Sequence, residues 1–134
     1  MIIVLDANAG IEIALDRERS NLLNSFVERS DKVISSDLYK AETTNVIYKY
    51  VKAGLLTKDQ AIEKSQLCDF LIDEFVDISV NKEEALMESI RTGHSSYDLF
   101  YLTLARRTGG RLVSLDKKLN KLAVECGLEV IEAF

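Results

Sequence analysis

Hydrophobic residues along this chain fall into short unbroken runs separated by longer helical stripes. Ile2-Ile3-Val4-Leu5 is aliphatic throughout with no polar alternation, the pattern of a strand covered on both faces in a parallel sheet. Further strands are predicted at 32–35, 75–78, 111–115 and 128–131. Helices are predicted at 7–15 and 20–29, apolar at Ile11, Leu15, Leu22, Leu23, Phe26 and Val27 and parted by the charged turn Asp16-Arg17-Glu18-Arg19. Ser36 or Asp37 caps a longer helix ending near Gly54, and Thr57 opens another that runs to about Glu74. Asn81 is read as the cap of a helix containing Ala85, Leu86 and Ile90. The loop-like Thr92-Gly93-His94-Ser95-Ser96 leads into a helix over 97–107, closed by Gly109-Gly110, and a last helix over 117–126 stops at Gly127.

Strands that alternate with helices predict an α/β protein, a three-layer α/β/α sandwich with a mostly parallel central sheet and right-handed crossovers. With 134 residues and neither a linker nor a proline, one domain over 1–134 is expected. No apolar stretch approaches the roughly 20 residues that span a bilayer, so a soluble, cytoplasmic protein without membrane contact is expected. Cys68 and Cys126 lie far apart within apolar helical patterns and read as core residues of a reducing compartment.

Chemistry enters with the acids. Asp6 ends the first strand, where open α/β sheets place their ligands, and Asp116 follows the strand at 111–115 in the same way. Asp98 shares a helical stripe with Leu102 and Ala105, so it aims toward the core, and Glu42 shares one with Leu38, Ala41, Asn45 and Lys49. Each taken alone has a plain structural reading, as a helix cap or a surface pair. In a doubly wound sheet, however, all four would converge at one edge, where they repel one another and raise each other's pKa. Divalent cations relieve that repulsion, and oxygen-only ligands select a hard ion, magnesium or manganese, one or two per site. Such a site suits hydrolysis of a phosphodiester. Lone His94 is left out of it.

A net charge of −5 argues against a protein that coats nucleic acid by simple attraction. Local charge differs: Arg106, Arg107, Arg111, Lys117, Lys118 and Lys121 form a basic run around Asp116, a candidate phosphate-facing rim, and Arg17 and Arg19 on the first turn add to the basic residues.

Four segments carry a resemblance: Val4-Leu5-Asp6-Ala7-Asn8, Ala41-Glu42-Thr43-Thr44-Asn45-Val46, the stretch from Ser96 to Ala105, and Leu112-Val113-Ser114-Leu115-Asp116-Lys117-Lys118-Leu119. In this order and spacing the chain resembles the PIN domain family of metal-dependent ribonucleases, most closely the small VapC-type toxins of toxin–antitoxin pairs. The resemblance implies a magnesium- or manganese-dependent endoribonuclease whose metal ligands are Asp6, Glu42, Asp98 and Asp116, with Asn8 a small polar residue beside them. It also implies a cognate antitoxin, contact with DNA only through that antitoxin, and a two-fold homodimer. Apolar residues of the early helices, Leu22, Leu23, Phe26 and Tyr48, are candidates for the antitoxin's groove. Ser114 stands where relatives often have Thr, and Asn120 where some add a further acid. Two other readings compete with a toxin nuclease: a regulatory antitoxin-binding module without nuclease activity, and a stand-alone RNA-processing nuclease. A phospho-acceptor receiver domain fits less well, because only Asp6 is available where it needs an early pair of acids.

Overall fold

The computed structural model describes residues 1–131 and consists of a parallel sheet flanked by helices. The elements are β1 (Ile2–Leu5), α1 (Ala7–Ala14), α2 (Ser20–Arg29), β2 (Lys32–Ser36), α3 (Leu38–Lys52), α4 (Lys58–Phe70), β3 (Glu74–Val76), α5 (Lys82–Thr92), α6 (Ser96–Thr108), β4 (Arg111–Val113) and α7 (Lys117–Glu125). Strand order is β3-β2-β1-β4, every pairing parallel. The order reverses between β1 and β4, and a doubly wound sheet opens its ligand crevice at the carboxyl ends of such a pair. Asp6 and Asp116 stand on the two sides of that point.

β1 is the centre of the core. Ile3, Val4 and Leu5 are fully buried, as expected of a strand covered on both faces, and Leu112 and Val113 of β4 are buried beside them. Helices α1 to α4 pack together, while α6 lies across β1, β2 and β4 and packs on α5 and α7. Where α1 crosses α3 the packing is closest. The Tyr39 hydroxyl donates to the Cys68 carbonyl at 2.7 Å, and a Cβ built on Gly10 would stand 2.2 Å from that hydroxyl oxygen.

Several boundaries differ from the sequence reading, each for a local reason. β3 stops at Val76 because the Asp77 side chain accepts the Ser79 N–H at 2.8 Å and starts a 3-10 turn over Ile78–Val80. Asn81 is not a side-chain cap. It is buried, and its amide donates to the Phe100 carbonyl and to Thr103 Oγ1, both at 2.9 Å, tying the start of α5 to α6. The strand expected at 128–131 is present as a single parallel bridge between Val130 and Leu112. Thr57 and Gln60 form a reciprocal capping box at α4, as the sequence suggests. Apolar residues of α4 and α5 are exposed: Ile62, Leu67 and Phe70 on the first, Leu86, Met87 and Ile90 on the second. Cys68 is buried and Cys126 half-buried, and neither forms a disulfide. No helix among the described residues is long and apolar enough to cross a membrane.

The crossing of α1 on α3 leaves no room for a methyl group, so Gly10→Ala should destabilise the fold by roughly 1–3 kcal/mol. A lowered denaturation midpoint with an unchanged denaturant slope checks this.

Candidate active site

Each of the four acids is set by the element that carries it. Asp6 leaves β1 in an extended conformation and caps α1, its Oδ1 accepting the Ala9 N–H at 3.0 Å, with only 3 % of its surface exposed. Asp116 plays the same part at α7, where one oxygen, Oδ1, accepts the N–H groups of Lys118 and Leu119 at 2.9 and 3.2 Å. Glu42 projects from the second turn of α3 and Asp98 from the first turn of α6. Ser95 caps α6, its Oγ accepting the Tyr97 N–H at 3.3 Å, and Asp98 is an acid of the first turn.

The turns are tied across the gap between β1 and β4. Asn8 Oδ1 accepts the Leu115 N–H at 3.0 Å, Ser114 Oγ accepts the Asp116 N–H at 2.9 Å, and the Asn120 amide donates to the Ser114 carbonyl at 2.9 Å. Asn8 thus holds the backbone of the β4–α7 turn. Ser114 also hydrogen-bonds the Asp6 side chain. Asn120 Oδ1 is buried without a partner.

Electrostatically the acids form a ring. Glu42 and Asp116 both oppose ionisation of Asp6, Asp98 opposes that of Glu42, and Asp116 opposes that of Asp98. Burial is the larger cause in each case. It pushes Asp6 from its ordinary value near 3.8 up to about 7, against the hydrogen bonds from Ser114 and Ala9, and raises Glu42 and Asp98 in the same direction. His94, set aside in the sequence, lies near enough to Asp98 to favour its charged form.

Tyr101 is the residue sequence reasoning missed. It is 2 % exposed, and its hydroxyl donates to Glu42 Oε1 at 2.6 Å, joining α6 to α3. Its position three residues after Asp98 was a signal, since that spacing puts the two on neighbouring faces of one helix. Tyr101, Asp6, Asn8, Glu42, Asp98 and Leu115 line a cleft of about 860 Å³. Asn45, Lys49 and Tyr50 continue the lining from Glu42 along α3, and Glu12, Arg17, Glu18 and Arg19 line the cleft from the end of α1 and the turn after it.

The basic run divides. Lys117, Lys118 and Lys121 sit on the first two turns of α7, beside Asp116. Arg106 and Arg107, at the far end of α6 from Asp98, pair instead with acids of α5: Arg106 with Glu88 at 3.1 Å and Glu84 at 3.8 Å, Arg107 with Glu84. Arg111 opens β4 at the opposite edge of the sheet and pairs with Glu129 at 2.6 Å. These three arginines are therefore not at the cleft, because α6 and β4 each span the sheet and carry them to its other edge. Among the apolar candidates, Leu23 is fully buried and belongs to the core, Phe26 is half-buried, and Leu22 and Tyr48 are exposed.

Among the described residues, no three His, Cys, Asp or Glu side chains are arranged to hold a metal ion as they stand. The donor chemistry nevertheless fits a hard cation. The four candidate groups are carboxylates, their charges oppose one another, and two of them already have one oxygen anchored by backbone N–H groups.

The PIN domain model matches residues 3–125, and the chain belongs to that family. Within it, the chain is 29 % identical over 124 residues to Ribonuclease VapC3 of Pyrobaculum aerophilum, covering 89 % of this chain and 92 % of that protein. Two solved structures share the fold. VapBC-1 from nontypeable Haemophilus influenzae superposes with a TM-score of 0.68 at 19 % identity, over 98 % of this chain and 97 % of that one. VapBC2 from Rickettsia felis, bound to a DNA fragment from its promoter, gives 0.65 at 19 % identity over 98 % of both chains.

Burial of the acids sets a pH dependence. Folded Asp6 keeps its proton up to about pH 7, whereas the same carboxyl in the unfolded chain ionises near 3.8. Between those values the folded state binds the extra proton, so stability falls as pH rises. Metal-free protein should lose melting temperature from about pH 4 to 7. Asp6→Asn, which retains a capping side chain, should flatten that slope by a few kcal/mol at most; a slope unchanged by the substitution contradicts the assignment.

Proposed function

We propose that this protein is a magnesium- or manganese-dependent endoribonuclease, the toxin of a type II toxin–antitoxin pair. The ring of four mutually opposing carboxylates at the topological switch point carries the proposal. Membership of the PIN family and likeness to Ribonuclease VapC3 support it.

Asp6, Asp98 and Asp116 would hold the metal, and Glu42 would hold or orient a second ion or the attacking water. When bound, one or two such ions supply charge neutralisation at the phosphodiester and a lowered pKa for water. The protein's own groups do the rest. Backbone N–H groups fix Asp6 and Asp116, so neither must be reorganised as charge develops. Tyr101 stays protonated, its phenol pushed far up by burial and by Glu42, and holds one Glu42 oxygen in place. Asn8 serves by anchoring the turn that delivers Asp116. Lys117 and Lys118 flank Asp116 and would meet the phosphates of an RNA strand.

A cognate antitoxin is the proposed partner, one that masks the acidic ring with a cation of its own, with DNA reached only through it. A homodimer of this chain, the commonest symmetry, is proposed to cover exposed apolar side chains such as Leu86, Met87 and Ile90. The cell's cytoplasm is the proposed compartment. A binding module without nuclease activity and a stand-alone RNA-processing nuclease are the alternatives. The intact set of acids favours an enzyme over the first, and a cleavage assay with and without chelator separates them.

RNA cleavage by the purified chain should stop in chelator and return with magnesium or manganese. Asp6→Asn and Asp98→Asn should abolish it while the protein still folds and melts cooperatively; undiminished cleavage by either sinks the proposal. Tyr101→Phe, which removes only the hydroxyl on Glu42, should weaken metal-dependent activity by roughly 10–100-fold, the usual effect of losing a group that orients a metal ligand.

A further inference from the structure

We propose that the end of the cleft remote from Asp6 and Asp98, on the surface that Tyr50 and Arg17 form together, stacks an unpaired RNA base flanking the bond that is cut; this rests on the ribonuclease reading above. The argument begins with the register of α3. Glu42, Asn45, Val46, Lys49 and Tyr50 are spaced by three, four, seven and eight positions from the first, which places them on one stripe of the helix, and all five line the cleft. The adjoining flank of α3 buries Tyr39, Thr43 and Ile47 in the core, so the stripe runs along the border of the packed face. The stripe thus runs from a carboxylate through an amide and an ammonium to an aromatic ring. From Glu42 to Tyr50 the axial rise is about 12 Å, which suits a neighbouring nucleotide rather than the reacting one.

Arg17 reaches Tyr50 from the other wall. Its Nη1 donates to the Tyr50 hydroxyl, and its guanidinium carbon lies 5.9 Å from the ring centroid. Its Nε is 3.3 Å from Glu12 Oε1. Glu12 is 8 % exposed, and its second oxygen accepts the Arg19 N–H at 3.1 Å, so one buried acid clamps the whole turn between α1 and α2. Asp16 in that turn has φ 51°, a left-handed conformation unfavourable for a residue with a side chain, and its carboxylate accepts the Ser20 hydroxyl at 2.9 Å. Strain of this kind persists where the surroundings over-determine it, and here it presents Arg17 across the cleft.

The chemistry points to a base rather than to a phosphate or an apolar peptide. Glu12 already meets the charge of Arg17, leaving a flat, pre-oriented guanidinium beside an aromatic ring. Unpaired bases in RNA stack on these two surfaces. Lys49, one residue from Tyr50, supplies the phosphate contact that such a strand needs. An antitoxin helix would want an apolar groove, and this stretch of wall is mostly polar or charged.

The test uses an RNA cut by the wild-type protein and the same RNA made abasic at the nucleotides next to the cut, compared by kcat/KM. The wild type should lose about 5–150-fold on the abasic strand, the worth of one stacked base. Tyr50→Ala should lose a similar factor on the intact RNA and nothing further on the abasic one. Tyr50→Phe, which keeps the ring but loses the bond to Arg17, should lose less than Tyr50→Ala on the intact RNA and still cut it faster than the abasic one, and circular dichroism with melting checks that each variant folds. Tyr50→Ala that cuts intact RNA at the wild-type rate, or suffers the full abasic penalty, overturns the inference and leaves the ribonuclease standing. Wild type that cuts no RNA overturns both. If Tyr50→Ala and Arg17→Ala weaken binding of an antitoxin peptide while the RNA coupling is unchanged, this end of the cleft belongs to a protein partner and the inference is again overturned.

Discussion

Like charges drawn out of water beside one another are the constraint on which the site rests. Each of the four carboxylates at the carboxyl edge of the sheet is opposed by at least one other, and burial adds to the cost in Asp6, Glu42 and Asp98. The fold meets this cost with neutral donors rather than with lysine or arginine. Ala9, Lys118 and Leu119 contribute backbone N–H groups, and Ser114 and Tyr101 contribute hydroxyls. A cationic side chain in the ring would steady the chain but would fill the place proposed for a hard cation. Leaving the charge uncompensated trades stability for binding capacity, a common bargain at functional sites.

The fold was largely legible because its signals are local. An aliphatic run marks β1, glycines in the left-handed region end α5 and α6, and Thr57 with Gln60 writes the start of α4. Asp6, Glu42, Asp98 and Asp116 could be nominated from position and helical phase, since strand order brings strand ends to one edge. What could not be read were pairings made at long range. Tyr101 with Glu42 and Asn81 with Thr103 depend on how helices cross, and no spacing along one helix reveals a partner on another. The arginines illustrate the same limit. Arg106 and Arg111 are near Asp116 in sequence, but a helix and a strand carry them across the width of the sheet to Glu88 and Glu129.

Charge distribution follows from this arrangement. The protein is acidic overall, yet the lining of the cleft carries both signs, with Asp6, Glu42 and Asp98 grouped at the sheet edge and Arg17, Arg19 and Lys49 on the far side among Glu12 and Glu18. In the ribonuclease proposed above, a polyanion would be repelled at the first and held at the second chiefly by Lys49, since Glu12 meets the charge of Arg17. Such a gradient would orient a strand more effectively than a uniformly basic face, which would bind anywhere along the backbone.

The Asn8–Leu115 hydrogen bond has a consequence for the growing chain. It joins residues 107 positions apart, and β1 acquires its second neighbour, β4, only when residues 111–113 are in place. Until then the aliphatic strand Ile2–Leu5 has one bare edge, a hazard for association with other chains. Two of the four acids lie within the first 42 residues and two lie at or beyond residue 98. A chain interrupted between them has half a site and an open sheet, so completion of synthesis, closure of the sheet and assembly of the chemistry coincide.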